Sequence, residues 1–297
     1  MANKTAKKSG DLSKRVKHET WEWIKAIVIA ILIVIPVKLF VLDTMIVPTG
    51  SMIPTIMPGD RIFVDQISWK YKDLKIGDII VFWTPFVDKS SLAMLGPFDR
   101  FMDALSPVHY AGHVKYVKRL IAVGGDTVQL VPIANKYFKT INQPVIFGAQ
   151  PIKQEVESNK IVYFYQAYEV EINGKIPDGL KKIEYISAGI FNDPNFYKEM
   201  AYPNKYINPN YNFFVYYNQD MDYTTYYNSV VSKWGNYVTE DASGNIVIHV
   251  PKGYFFAMGD NTTDSFDSRY WGFVPMSNMI GTPFLRIWPL NRFGVMK

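Results

Sequence analysis

The chain has 297 residues and a formal net charge of +5, with 48% hydrophobic and 15% aromatic residues. That length suffices for one large domain or two smaller ones, and the apolar content excludes a wholly disordered chain. The sequence contains no cysteine, which excludes disulfides, thiol catalysis and cysteine-ligated zinc. Much of the positive charge precedes residue 21, which indicates a local basic tail beside a membrane rather than a nucleic-acid-binding surface.

The N-terminal segment predicts a basic tail followed by one transmembrane helix. Residues 1–20 carry six lysines and arginines against two acidic residues, and residues 21–42 are mostly apolar. As a helix, the second segment would be ~33 Å long, enough to cross the hydrocarbon core of a bilayer. Trp21 and Trp23 suit the membrane interface. The positive-inside rule then predicts that residues 1–20 stay in the cytoplasm and that the chain after Asp43 lies outside.

Two other interpretations of this apolar segment compete with a membrane span. A cleavable signal peptide would need a small-x-small cleavage site, and residues 42–45 (LDTM) offer none. A buried core helix stays open, because the uninterrupted apolar run, residues 26–37, is only twelve residues long. The basic tail favours the membrane span.

Residues 43–131 and 245–297 predict a β-rich core in two parts. Apolar runs bounded by turn residues predict strands at residues 61–67, 77–83, 114–123, 127–131, 245–250, 253–258 and 284–288. We expect strands 114–123 and 127–131 to form one hairpin, and strands 245–250 and 253–258 to form another. Residues 86–112 have a weaker period and predict a loop or a short helix near the membrane surface.

Residues 132–244 differ in composition and predict an inserted β subdomain. Tyr, Asn and Lys become frequent there, and strands are predicted at residues 161–172 and 212–217. Its aromatic residues are more typical of packing or surface positions than of a binding site. The sequence of this segment does not indicate its chemistry.

A serine in a bend is the first candidate for catalysis. Ser51 follows Gly50 and lies between Pro48 and Pro54, so the chain around it is extended and then bends. Histidine-assisted chemistry has no support, because there is no G-x-S-x-G elbow and no H-E-x-x-H motif. The sequence has four histidines, none in a recognisable triad context: His18, His109, His113 and His249. In general a serine in such a bend is more often a turn residue.

A lysine can replace histidine as the base if its ammonium form is disfavoured by burial. Lys118 lies in the middle of a predicted strand among apolar neighbours, which makes it the candidate. Alternation along the strand puts Tyr116 and Lys118 on one face and Arg119 on the other. Taken alone, an outward-facing strand lysine is the more common interpretation.

Four blocks in order, behind an apolar anchor, resemble those of type I signal peptidases, the membrane-bound Ser–Lys proteases that cleave leader peptides from exported proteins. The blocks are residues 48–55 (PTGSMIPT), 77–82 (GDIIVF), 116–126 (YVKRLIAVGGD) and 259–275 (GDNTTDSFDSRYWGFVP). The resemblance covers the anchor and residues 45–131 and 245–290, but not the insert. It implies a mainly β fold, with an antiparallel β-sheet or barrel catalytic core, an inserted β subdomain and one N-terminal transmembrane helix.

The resemblance implies a role for each residue that matches these blocks. Ser51 would be the nucleophile and Lys118 the general base. The oxyanion hole would consist of the Ser51 backbone N–H and the Thr49 hydroxyl. Serine is also common in the family at the position of Thr49, and the threonine hydroxyl can still donate. Ser265 would hydrogen-bond to Lys118 and orient it.

The same resemblance implies supporting and substrate-binding residues. Asp267 and Arg269 would brace the site as an ion pair. Val47, Met52 and Tyr116 would line small S1 and S3 pockets that accept Ala-x-Ala-like ends. The substrate would lie extended between strands. Two segments depart from the family pattern, the turn at residues 124–126 and the loop at residues 262–264, and the second leaves Ser265 less firmly assigned than Lys118.

The implied function is removal of signal peptides from exported preproteins, without a cofactor or metal, by a single-pass protein of the bacterial inner membrane whose catalytic domain faces outward. Its expected partners are signal peptides and the lipid bilayer, with the protein-export translocon as a further candidate, and nucleic acid is not expected. Two alternatives remain. One is a self-cleaving repressor-type Ser–Lys peptidase, which would need a DNA-binding module that residues 1–20 cannot form. The other is a catalytically silent, membrane-tethered β-domain.

Overall fold

The computed structural model describes residues 2–70, 73–106, 109–141, 149–193, 196 and 234–296. The chain divides into an N-terminal unit, Met1–Asp43, and a larger compact unit, Thr44–Lys297. The strand predicted at residues 212–217 lies outside the described residues, together with the rest of residues 197–233.

The N-terminal unit is a helix, α1 (Ala2–Phe40). Its segment Lys17–Phe40 has a mean hydropathy of 2.4 and is, by length and composition, the one helix of the described residues that could cross a membrane. The helix stops at Phe40, two residues before the end of the predicted membrane segment, and a strand begins at Leu42. Hydropathy does not mark this boundary, because apolar residues continue beyond the end of the helix.

The larger unit is mainly β, as predicted. Its described strands are β1 (Leu42–Ile46), β2 (Arg61–Asp65), β3 (Ile79–Trp83), β4 (Lys115–Val123), β5 (Thr127–Ile141), β6 (Lys153–Glu157), β7 (Lys160–Ile172), β8 (Tyr185–Ile186), β9 (Val238–Glu240), β10 (Ile246–His249), β11 (Tyr254–Met258), β12 (Val274–Pro275), β13 (Met279–Trp288) and β14 (Gly294–Val295). Short helices are α2 (Lys89–Ala93), α3 (Pro97–Leu105) and α4 (Ser268–Trp271). The first two occupy the segment for which a loop or a short helix was predicted.

The strands form two antiparallel sheets. In the first, the order is β1-β2-β13-β3-β4-β11-β12, with β14 beside β13. In the second, the order is β6-β7-β5-β10-β9, with β8 beside β7. The strand predicted at residues 127–131 continues through the start of the predicted insert to Ile141, and pairs there with β7. The second sheet therefore contains strands from both the predicted core and the predicted insert.

Both predicted hairpins are wrong. β4 pairs with β3 and β11, whereas β5 pairs with β7 and β10. The chain passes from the first sheet to the second at residues 124–126 and returns at residues 251–253, and the two crossings lie side by side, since the Gly125 N–H donates to the Val250 carbonyl at 2.8 Å. Turn residues show where a strand ends, but they do not show whether the next strand pairs with it.

The two sheets share one apolar core. Leu120 and Phe255 from the first sheet and Val128 and Ile248 from the second are fully buried in it. A second, smaller cluster lies under the chain around Ser51 and contains Met52 together with residues of β2, β3 and β4. The nucleophile candidate therefore lies on a chain segment that is fixed to the core by its next residue.

The segment after β8 packs closely against α4. Gly189 has a φ of 59°, and a Cβ on this glycine would lie 2.0 Å from the carbonyl oxygen of Arg269. No side chain fits there, so this glycine allows the insert to approach the backbone of the last sequence block.

We expect Gly189→Ala to lower the melting temperature of the protein by ~5 °C or more, because left-handed backbone costs ~1–3 kcal/mol and the new methyl group collides with the Arg269 carbonyl. Gly244→Ala is the matched control, since Gly244 has a φ of 80° and open space around it. Thermal unfolding of both variants measures the difference. Equal shifts would show that the contact with Arg269 contributes nothing beyond backbone strain.

Candidate active site

Ser51 and Lys118 are brought together by the first sheet. Lys118 lies in the middle of β4, opposite Ile80 of β3, and Ser51 lies in the turn that follows β1. The Lys118 Nζ donates a hydrogen bond to the Ser51 Oγ at 2.6 Å. Ser51 is 6% exposed and Lys118 is 4% exposed. The structure thus forms a buried serine–lysine pair from residues that are far apart in sequence.

The turn that carries Ser51 is held by Asn261. The backbone N–H of Asn261 donates to the Ser51 carbonyl at 3.0 Å, and its side-chain amide donates to the Gly50 carbonyl at 3.0 Å. Gly259 lies against the Ser51 carbonyl, since a Cβ on this glycine would lie 2.4 Å from the Ser51 carbonyl oxygen. Sequence reasoning did not assign a role to Asn261, although it belongs to the last block.

The environment of Lys118 favours its neutral form. Burial lowers the pKa of Lys118 from 10.5 to about 8, with Asp267 raising it and Arg269 lowering it. The ring of Tyr116 lies on the same face, with its centroid 5.1 Å from the Lys118 Nζ. At a pH near 8, a large fraction of this amine is therefore able to accept a proton.

Asp267 and Arg269 form a fully buried ion pair, as the sequence predicted. The Arg269 Nε donates to Asp267 Oδ1 at 2.9 Å and its Nη2 donates to Asp267 Oδ2 at 2.9 Å. Arg269 also donates to the carbonyls of Thr262 at 2.9 Å and Ser265 at 3.3 Å, while Asp267 accepts from the Gly259 N–H at 2.9 Å. The pair therefore fixes both ends of the loop that carries Ser265.

A second ion pair, missed in the sequence, lies on the opposite face of β4. The Arg119 Nε donates to Asp260 Oδ1 at 2.7 Å and its Nη2 donates to Asp260 Oδ2 at 2.6 Å. The Thr55 hydroxyl donates to the same carboxylate at 2.5 Å. Both charged residues belong to the family-like blocks, but only the fold, which brings Arg119 of β4 beside Asp260 in the loop after β11, shows that they pair.

A third cluster lies at the end of the chain segment that carries Ser51, residues 47–60, called here the nucleophile segment. It joins this segment to β13 and to the residues after β13. The fully buried carboxylate of Asp60 lies 3.1 Å from the Arg286 Nε and accepts a hydrogen bond from the Arg292 Nη2 at 2.8 Å. Arg286 also donates to the Thr55 carbonyl at 2.8 Å. Neither arginine was singled out from the sequence, because each lies in a segment without a motif.

The remaining predicted site residues lie near the pair in different environments. Thr49 is exposed, whereas Val47 and Met52 are 1% and 0% exposed in the smaller core cluster. Tyr116 is half-buried and packs against Trp271 with ring centroids 5.4 Å apart.

Ser265 is fully buried, and among the described residues its Oγ has no hydrogen-bond partner. The expected bond to Lys118 is therefore not formed in this structure. The Ser265 Oγ lies next to Gly259, on which a Cβ would approach it to 2.2 Å. Ser265 and the Ser51 carbonyl thus border the same glycine.

The histidines outside α1 have partners away from this site. His113 Nδ1 lies 2.6 Å from the Thr84 carbonyl oxygen, and His249 Nε2 lies 3.0 Å from the Thr239 hydroxyl. His109 is exposed and lies 3.8 Å from an Asp103 oxygen. Within the described part of the chain, no group of three or more side chains could hold a metal ion.

Fold and site together define a β-sheet protein with a buried serine–lysine pair. A sequence profile described as signal peptidase, peptidase S26, matches residues 20–288. The chain belongs to this family and is therefore a peptidase.

Relatives over most of the chain are signal peptidases I. The protein from Aquifex aeolicus is 27% identical in an alignment of length 270 that covers 86% of this chain and 79% of the relative. The protein from Buchnera aphidicola of Schizaphis graminum is 26% identical over 259 residues, or 86% and 70% of the two chains. A solved signal peptidase I from Enterococcus faecalis is 18% identical, with a TM-score of 0.25, over 71% of this chain and 97% of that one.

We expect Asp267→Asn to lower the free energy of unfolding by ~3–5 kcal/mol, because it leaves the fully buried Arg269 guanidinium without its counter-ion. Asp178→Asn is the matched control, since Asp178 pairs with Lys181 on the surface, where such a pair contributes little. Urea unfolding of both variants gives the comparison. A loss for Asp267→Asn as small as that of the control would contradict a bracing role for the buried pair.

Proposed function

We propose that this protein is a membrane-anchored serine endopeptidase that removes N-terminal signal peptides from exported preproteins after small-x-small sites. The observation that carries the proposal is the 2.6 Å contact between the Lys118 Nζ and the Ser51 Oγ in a buried site. Family membership and the names of the relatives support the substrate class.

In the proposed reaction, neutral Lys118 accepts the proton of the Ser51 hydroxyl as the oxygen attacks the scissile carbonyl carbon. The protonated amine then passes its proton to the leaving amino group, and Ser51 holds the signal peptide as an ester. Lys118 next takes a proton from a water molecule, which hydrolyses the ester. Lys118 thus acts as base and acid in turn, which suits an amine whose pKa is lowered to about 8.

The oxyanion of the tetrahedral intermediate would be bound by the Ser51 N–H and the Thr49 hydroxyl. One such donor contributes ~10²–10³ in kcat. Thr49 is exposed, so a bound substrate can reach its hydroxyl. Ser265 would orient Lys118 once substrate orders the site, a role supported by its buried hydroxyl without a partner among the described residues.

The signal-peptide end of the substrate would lie extended between the chain before Ser51 and β4. Val47 is a buried apolar side chain on the first of these segments, and Met52 is the buried residue directly after Ser51. Tyr116 lies on the second segment, two residues from Lys118. Shallow apolar pockets built on such side chains accept alanine and exclude larger residues.

The proposed location is the bacterial inner membrane, with α1 spanning it once, its N-terminus in the cytoplasm and the catalytic unit on the outer face. The apolar segment Lys17–Phe40 and the basic residues before it support this orientation. The bilayer and signal peptides are the proposed partners, with the protein-export translocon as a further candidate.

Exposed apolar side chains on the first sheet support contact with the bilayer. They lie on β1, on β13 and on the residues after it: Ile46, Phe284, Trp288, Leu290, Phe293 and Val295. β14 pairs with β13, so several of them are neighbours in the sheet. Contiguous exposed apolar surface of this kind is typical of a membrane or protein contact.

We expect Ser51→Ala to abolish cleavage of a purified precursor in detergent, because it removes the only atom proposed to attack the carbonyl. Ser243→Ala, in an exposed turn, is the matched control and should cleave at the wild-type rate. Gel analysis gives the rates, and sequencing of the product identifies the cut, which we expect after a small-x-small site. Cleavage by Ser51→Ala at that cut would overturn the mechanism.

We expect kcat/KM to rise about tenfold per pH unit at acidic pH and to level off near pH 8, because only neutral Lys118 accepts the proton and its pKa is about 8. Asp264→Asn should move this limb to lower pH, because the exposed Asp264 carboxylate helps to stabilise the ammonium form. A pH–rate profile with its limb near 10.5, the ordinary pKa of lysine, would show that Lys118 is not desolvated during catalysis.

A further inference from the structure

A cleft of about 520 Å³ opens on the face of β4 opposite Lys118. Its volume lies within the ~300–1,000 Å³ typical of ligand sites. One wall comes from the nucleophile segment, at Ile53 and Pro54, and the facing wall comes from the insert, at Phe138 and Ile183. The cleft is therefore bounded by the segment that carries the nucleophile and by the part of the chain that the family-like blocks do not cover.

The cleft begins beside the serine–lysine pair. Ile53 is two residues beyond Ser51, and Asn261, which also lines the cleft, donates its N–H to the Ser51 carbonyl. None of the residues proposed to bind the signal-peptide end lines it: Val47, Met52 and Tyr116. The cleft is therefore next to the segment that carries Ser51 and is lined by other residues than those proposed to bind the signal-peptide end.

The charges that face the cleft leave one lysine unneutralised. Arg119 is paired with Asp260 on its floor, and Glu184 on its rim is paired with Lys136. Lys182 on the rim is exposed and has no ion-pair partner among the described residues. The cleft thus combines apolar walls with one charged lining residue, Lys182, that has no ion-pair partner among the described residues.

We propose that this cleft receives the first residues of the mature polypeptide, downstream of the scissile bond, and that Lys182 makes it prefer acidic side chains there. The proposal rests on the proposed peptidase function. It gives the insert a role, because the insert supplies one wall and the selective charge. An exposed charge pair of this kind corresponds to a preference of roughly two- to fivefold.

The test uses the full-length protein in detergent and two precursors with the same signal peptide and cleavage site. In one precursor the first residues after the cut are glutamates, and in the other they are lysines. The wild type should cleave the glutamate precursor with the higher kcat/KM, and added salt should reduce the difference. Lys182→Glu should invert the preference.

Lys181→Glu is the matched control, because this neighbouring lysine is also exposed but pairs with Asp178 and does not line the cleft. It should keep the wild-type preference. An unchanged ratio in Lys182→Glu, or an equal change in both variants, would overturn the proposal.

A binding measurement separates this proposal from the proposed function. Labelled mature-segment peptides, acidic and basic, are titrated onto two proteins, Ser51→Ala alone and Ser51→Ala combined with Lys182→Glu. Fluorescence anisotropy gives the affinity of each peptide for each protein. If the wild type cleaves neither precursor but Lys182→Glu inverts the peptide preference, the cleft assignment stands and the proposed function fails. If cleavage occurs and the peptides bind both proteins alike, the cleft assignment fails alone.

Discussion

Lys118 is an amine buried among apolar side chains, and the chemistry proposed for the site requires much of it to be neutral beside Ser51. Burial in β4, between β3 and β11, lowers its pKa. A nearby carboxylate without a counter-ion would reverse that effect by stabilising the ammonium form. Among the nearby carboxylates, that of Asp267 raises the pKa of Lys118 most, and the guanidinium of Arg269 offsets this effect. The ion pair therefore supports the loop around Lys118 while adding little net charge to its surroundings.

The turn that carries Ser51 is also held by residues from distant parts of the chain. This turn is fixed by donors that bind backbone carbonyls, namely Asn261 on Gly50 and Ser51, and Arg286 on Thr55. Each of these donors comes from a segment more than two hundred residues further along the chain. Carbonyl contacts hold the position of the backbone and leave the Ser51 side chain free to contact Lys118. In the proposed mechanism, a backbone held in this way keeps Ser51 in position for its attack on the substrate.

The two sheets explain how the insert is connected to this site. Strands β4 and β11 pair in the first sheet, and their continuations, β5 and β10, pair in the second. The proposed base therefore lies on a strand whose continuation, β5, runs into the predicted insert. Gly189, which packs on the backbone of Arg269, adds a second connection between the predicted insert and the last sequence block.

The sequence by itself determined the positions of most core strands and the apolar N-terminal helix, and its ordered blocks marked Ser51, Lys118, Asp267 and Arg269 as site candidates, because alternation, turn residues and such blocks are properties of neighbouring residues. Only the tertiary structure decided which strands pair. Turn residues such as those at 124–126 and 251–253 occur both where a strand folds back into a hairpin and where the chain crosses to another sheet. The pairing of Arg119 with Asp260, and of Asp60 with Arg286 and Arg292, was likewise decided by the fold. A charge in a sequence has many available partners, and the fold selects among them by burying particular charged groups side by side.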